Sequence, residues 1–166
     1  MYPFFKRHPK ELETFKHKIS KTGLDMVQRH IYPVLRNKDK PTESVSIQTS
    51  IEGLRLIAER TGNYAPGRDS TYDYDENGVL VKATSYIKKR TPDGTWHEIS
   101  ANAFMSEYKP EYKPEHNANF WNKMPHVMLA KVAEAAAIRR AFPDDTAGLY
   151  TAEEMDQADE APKGLT

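Results

Sequence analysis

The stretch VLVKATSYIKKRTPDGTWHEISANAF, Val79–Phe104, decides the class of fold. Both halves are rich in β-branched and aromatic residues, which suit a pleated, half-buried surface. Between them, Thr91-Pro92-Asp93-Gly94 is turn chemistry: proline presets one backbone angle and glycine accepts a positive one. The pattern predicts a hairpin of two strands, Val79 to Arg90 and Thr95 to Phe104. Side chains alternate along a strand, so Lys88 and Arg90 fall on one face and Lys89 on the other.

Outward from the hairpin the period changes. Downstream, MPHVMLAKVAEAAAIRRAFP (Met124–Pro143) is alanine-rich, free of glycine and bounded by proline at both ends, which predicts a helix from Pro125 to Phe142. Upstream, Ile51, Leu54, Ile57 and Ala58 recur at helical spacing behind Thr49-Ser50, either of which can cap the helix, with a stop at Thr61-Gly62. Ser44 to Gln48 alternates Val45 and Ile47 inward with polar residues outward and reads as a strand; Ile31 to Val34 is strand-like. Leu12, Phe15 and Ile19 mark an amphipathic helix from Pro9 to Ser20. Tyr64 to Gly78 reads as a loop ending in an Asn77-Gly78 turn. The near-duplicate EYKP units at Glu107–Pro110 and Glu111–Pro114 read as an extended connector, and Thr151 caps a last short helix. The expected architecture is α+β: a small antiparallel sheet with a hairpin packed on helices, one domain over residues 1–158 and a flexible tail over 159–166.

The 166 residues suffice for one core. With no cysteine, disulfides and thiolate ligands are excluded, as suits a reducing cytoplasm. No apolar run approaches the roughly 18 residues of a membrane span. The formal net charge of zero hides a gradient: residues 1–40 carry ten Lys and Arg against four Asp and Glu, whereas residues 143–166 carry one against seven. Such polarity fits a polyanion partner, head-to-tail contact between subunits, or two solvated ends.

Catalytic patterns are missing. The six histidines show neither HxH nor HExxH spacing, so no metal is expected, and neither GxxxxGK[ST] nor GxGxxG is present, so no nucleotide cofactor is expected. The pairs Asp144-Asp145 and Glu153-Glu154 are adjacent, and adjacent side chains diverge on a helix. The sequence argues against an enzyme; a nuclease with metal at Asp144 and Asp145 is a remote alternative. Marks of nucleic-acid binding are present instead: Lys88, Lys89 and Arg90 on the hairpin, Arg55 and Arg60 on the second helix, and the helix N-terminus at Ser50, which can receive a phosphate. Tyr72, Tyr74, Tyr86, Trp96, Phe120 and Trp121 are available for base stacking. On the long helix, at 100° per residue, Lys131 and Arg139 stand about 80° apart and two turns distant, within reach of one backbone-hugging ligand. Each mark also has an ordinary reading as edge protection, solvated charge or core.

The run FWNKMPHVMLAKVAEAAAIRRAFPDDTAGLYTAEEM (Phe120–Met155) closely resembles the signature region of the phage Bet/RecT family of single-strand annealing proteins, the group of Red beta. KTGLDMVQRHIYPV at Lys21–Val34 and SIQTSIEGLRLIAERTGNYAP at Ser46–Pro66 resemble its other blocks, in the family's order, so the resemblance spans about Leu12 to Gln157. It implies a protein that binds single-stranded DNA and anneals complementary strands without ATP in phage homologous recombination. Rings or helical filaments of subunits would hold the strands, and an annealed duplex, along a basic groove in the bacterial host cytoplasm. Arg139 matches the family's functional arginine, Lys131 a basic position and Trp121 the aromatic before the helix, while His126 and Val132 stand where Red beta-like sequences carry lysines. The resemblance thus implies phosphate contacts at Arg139 and Lys131, supported by Lys123, Arg55, Lys88 and Lys89; Arg140, on another face of the helix, is expected to hold a neighbour or Asp145. Longer relatives carry a further C-terminal region that engages an exonuclease and the host single-strand-binding protein; this sequence supports no such recruitment. A scaffold or regulator using the same fold for protein contacts is the competing expectation.

Overall fold

The structure, a computed structural model, describes residues 2–110 and 118–155. A 3-10 turn, Pro3–Lys6, leads into α1 (Pro9–Thr22), which ends where Gly23 adopts a left-handed conformation (φ 63°) that side-chain-bearing residues avoid. Strands β1 (Ile31–Arg36) and β2 (Ser44–Thr49) pair antiparallel as a separate two-stranded ribbon. Helix α2 (Ile51–Arg60) follows at once, with Ser50 as its cap: the Ser50 hydroxyl accepts from the Gly53 amide at 3.1 Å.

The main sheet is built on β5 (Leu80–Arg90), paired antiparallel along one edge with β6 (Trp96–Phe104) through the predicted hairpin, Lys82 opposite Phe104 and Arg90 opposite Trp96. The other edge of β5 holds two short strands end to end: β3 (Tyr64–Pro66) beside Ile87–Lys89 and β4 (Thr71–Tyr74) beside Leu80–Thr84. Their segment corrects the expected loop. Both strands are too short to show an apolar period and have no fully buried position, and their existence depends on the β5 edge. The Asn77-Gly78 turn does join β4 to β5, with Gly78 at φ 76°.

Between β3 and β4 the chain passes over β5 so closely that a Cβ on Gly67 would lie 2.2 Å from the Tyr86 carbonyl oxygen. Only the absence of a side chain permits this crossing.

Helix α3 (Met105–Tyr108) follows β6, so the first EYKP unit begins in a helical turn rather than an extended connector. The second unit, Glu111–Pro114, lies outside the described residues, as does the tail over 159–166. Helix α4 (Ala118–Lys123) and α5 (Pro125–Ala141) are separated at Met124, and α6 (Ala152–Met155) closes the described chain.

Helix α5 lies against β5 and β6, with α2 and α6 on its other sides. Ala133, Ala135, Ala137 and Ala141 are buried, so the helix is apolar on several sides, as a central helix must be. The first half of α5, Met128 to Ala133, packs with Trp121, Leu80 and Ala103. Its second half, Ala135 to Ala141, packs with Ile87 and with Leu54, Phe15 and Ile31 from the N-terminal part. Two hydrogen bonds seat it on the sheet: the Ser85 hydroxyl donates to the Ala130 carbonyl at 3.1 Å, and the Lys89 ammonium donates to the Ala141 carbonyl. Gln48 and Thr49 correct the alternation expected of β2, since both are buried. The end of that strand is covered by the segment before α6, and the Thr49 amide donates to the Tyr150 carbonyl at 2.8 Å.

The N-terminal turn is clipped to the β1–β2 loop by Glu43. Its carboxylate accepts from the Asp39 amide at 2.9 Å, contacts the His8 ring at 2.8 Å and accepts from Arg7 at 3.1 Å. These contacts, the Asp39 amide first, pull its pKa from the ordinary 4.5 to about 2. The stabilisation is complete above pH 4.5 and fades as the carboxylate takes up a proton on the way down to about pH 2. Glu43→Gln is expected to lose less stability than the parent protein across that window, as read from urea unfolding at a series of acid pH values. Gly67→Ala is expected to cost roughly 1–3 kcal/mol, because backbone must yield; the same unfolding measurement at neutral pH checks it.

Candidate nucleic-acid interface

The residues singled out from the sequence do not form one cluster. Lys131 and Ser50 come together, on the wall of a cavity of about 340 Å³ that also takes in Arg29, His30, Tyr32 and Glu153. A second cavity of about 220 Å³ adjoins it through shared walls at Tyr32, Lys131 and Glu153, and continues to Phe120, Met124 and Met128. The two form a shallow trough from the N-terminus of α2, across the start of β1, to the α4–α5 junction. The Arg29 guanidinium lies 5.1 Å from the centre of the Tyr32 ring.

Four features can meet a polyanion there: the amide end of α2, the Lys131 ammonium, the Arg29 guanidinium and exposed ring surface on Phe120. The sequence reading passed over Arg29 and Tyr32. Arg29 sits in a turn with φ 59°, brought beside α2 by hydrogen bonds that the 26–34 segment does not advertise, such as the Ser50 amide to the His30 carbonyl at 3.0 Å.

Arg139 is elsewhere engaged. Its guanidinium donates two hydrogen bonds to the Glu154 carboxylate, one of them at 2.9 Å, with side chains only 21% and 6% exposed. It also lies 5.0 Å from the Tyr150 ring. Glu154 in turn accepts from the Thr151 amide at 2.8 Å and hydroxyl at 3.0 Å, while the Glu154 amide donates back to that hydroxyl at 3.4 Å. This is a reciprocal cap whose acid is shared with Arg139. Arg139 therefore anchors α6 to α5.

Trp121 is 1% exposed and packs in the core, whereas its neighbour Phe120 is 49% exposed and lines the trough. The expectation that Trp121 faces a groove is corrected on that point; of the adjacent pair, Phe120 holds that position. Lys89 is likewise turned inward, onto the end of α5 and 5.2 Å from the Phe142 ring centre. Arg140 donates to the Ser100 carbonyl at 3.2 Å, not to Asp145. Lys88 and Lys123 are exposed, Lys88 opposite Glu98 on β6.

Arg55 holds Glu134 through two hydrogen bonds of 2.7 Å, and that contact keeps its guanidinium pKa above the ordinary value. It lines a separate cavity of about 390 Å³ with Arg68, whose guanidinium stacks 3.7 Å from the Tyr86 ring centre and pairs with Glu98 at 2.7 Å. His126 contacts the Tyr74 hydroxyl at 2.8 Å and packs edge-on against Tyr72.

A further cavity, of about 460 Å³, lies between α1, α2 and the segment after α5. Asp144 and Asp145 oppose Lys18 and Lys21 there, and Arg60 is spent on the Thr22 and Gly23 carbonyls at 2.7 and 3.3 Å. The trough's Arg29 and Lys131 likewise face Glu52 and Glu153, so charge does not separate the two hollows; the α2 amide end and the exposed Phe120 ring set the trough apart. Among the described residues, no helix is long and apolar enough to cross a membrane.

Removing Glu154 strands a largely buried guanidinium, so Glu154→Ala is expected to cost about 3 kcal/mol in chemical denaturation. Arg139→Ala should cost a comparable amount, and any loss of DNA binding in that variant has to be read beside its unfolding curve.

No curated protein matches the chain. The family model for RecT matches residues 4–165, nearly its whole length. The chain belongs to the RecT family, whose members anneal single-stranded DNA in recombination.

Proposed function

We propose that this protein binds single-stranded DNA along the trough and pairs it with a complementary strand without ATP, as an oligomer acting in phage recombination. The family match over residues 4–165 is the observation that carries the reading. The trough supports it by chemistry: Lys131, Arg29 and the α2 amide end neutralise phosphates, and Phe120 offers ring surface to unpaired bases. Annealing is downhill in free energy. The protein need only relieve the repulsion between two phosphate backbones and keep bases accessible. Lys123 and Lys88, being exposed, serve as outlying phosphate contacts; Arg139 and Trp121 support the site by holding α6 and the α4–α5 junction. The domain that does this extends over residues 1–158, with 159–166 as a tail.

Two complementary oligonucleotides, one carrying a fluorophore and the other a quencher, test the reading. The protein is expected to speed their pairing in the absence of any nucleotide. Lys131→Ala should weaken binding to all sequences alike and flatten the dependence of log affinity on log salt by at most about 0.7, the share of one phosphate on a single strand. Unchanged pairing rates with and without the protein, combined with salt-insensitive assembly, would favour a scaffold role instead.

A further inference from the structure

The two adjacent carboxylates of α6 have different surroundings. Glu154 is 6% exposed and is consumed by Arg139 and by its own cap. Glu153 diverges from it and lies on the wall of both halves of the trough, where it accepts from the Lys131 ammonium at 3.3 Å. The Lys131 side chain is 36% exposed and that of Glu153 15%. The cation best placed to meet a phosphate thus already faces an anion, at the point where the two cavities join.

The geometry points to Glu153 as a positioning residue for strand binding: a resident counter-anion that holds Lys131 in the trough and that an incoming phosphate must displace. This rests on the reading of the trough as the DNA site. An ammonium has three donors, but seating a phosphate beside the carboxylate sets two anions against each other, so the carboxylate has to leave as the strand arrives. The exchange trades one ion pair for another and weakens the strand's net hold. It also changes the salt dependence. Displaced by phosphate, Glu153 takes up a cation from solution and cancels part of the counterion release that Lys131 would otherwise contribute. An annealing protein gains from such a device, because a strand held too firmly cannot be passed into the duplex.

The test is fluorescence anisotropy of a labelled oligo-dT over a range of salt concentrations, with the full chain. Glu153→Gln is expected to tighten binding roughly two- to fivefold at low salt, the range of a partly exposed ion pair. It should also steepen the slope of log affinity against log salt by a fraction of the roughly 0.7 that one phosphate contact contributes. In a Lys131→Ala background the same substitution should leave the slope unchanged and give only the modest tightening that removing any one trough-wall carboxylate gives. Glu52→Gln, which removes another carboxylate from the trough wall, separates the specific effect from the general field: its modest tightening should be the same with or without Lys131. Glu153→Ala provides a second variant should the glutamine fold poorly.

Tightening by Glu153→Gln that persists undiminished without Lys131 would overturn the proposal in favour of a diffuse charge effect. A lowered thermal midpoint with unchanged affinity and slope would overturn it in favour of a purely structural ion pair. If Lys131→Ala itself leaves binding untouched, the DNA reading of the trough fails first; if Lys131→Ala weakens binding while Glu153→Gln does nothing, only the counter-anion role fails.

Discussion

Helix α5 can lie on the β5–β6 surface only because its contact positions are small. Ala133, Ala137 and Ala141, on one side of the helix, let the backbone come close, and the gap is narrow enough for the Ser85 hydroxyl to reach the Ala130 carbonyl. Everything else takes its place from that approach. The first half of α5 organises one apolar cluster around Trp121, and the second half organises another with α1, α2 and β1. A helix that forms part of both clusters is the wall on which Lys131 and Arg139 are mounted, and it sets the separation between them.

The same helix explains why those two cations have different work. Arg139 emerges where Glu154 and Tyr150 pack down on α5, and a guanidinium that is 21% exposed is stable there only with a partner. Lys131 emerges two turns earlier, where α2, β1 and α6 leave a trough, and its flexible stem delivers the ammonium to water. Adjacent glutamates on a four-residue helix meet these two demands because neighbouring side chains diverge. Electrostatics therefore runs through the whole flank as paired charges, Arg55 with Glu134 and Arg68 with Glu98 included. A polyanion binds such a surface by exchanging partners.

Local chemistry made much of the fold legible. The hairpin turn at Thr91–Gly94, the Ser50 cap and the Thr151 cap all act within a few residues, so the segment itself contains the cause. β3 and β4 were not legible, because strands of three and four residues with polar or exposed positions have no period of their own and form only against the edge of β5. The burial of Gln48 and Thr49 escaped for a similar reason: what covers them arrives from residues about a hundred positions later in the chain. In the candidate site, Lys131 and Ser50 were found from sequence, whereas Arg29 and Tyr32 were not, since a turn residue with positive φ carries no periodic signal.

By itself the sequence determined the α+β class, the order and caps of the main elements, the excess of small residues on one long helix and, through its ordered blocks, membership of the RecT family. Only the tertiary structure decided which of the cations and aromatics are exposed. Helical angle places Lys131 and Arg139 about 80° apart, but it cannot say that α6 closes over one and leaves the other beside a cavity. Nor can it say that of two neighbouring rings Trp121 goes in and Phe120 stays out. Exposure is a property of what packs against a residue, and that is settled by contacts distant in sequence.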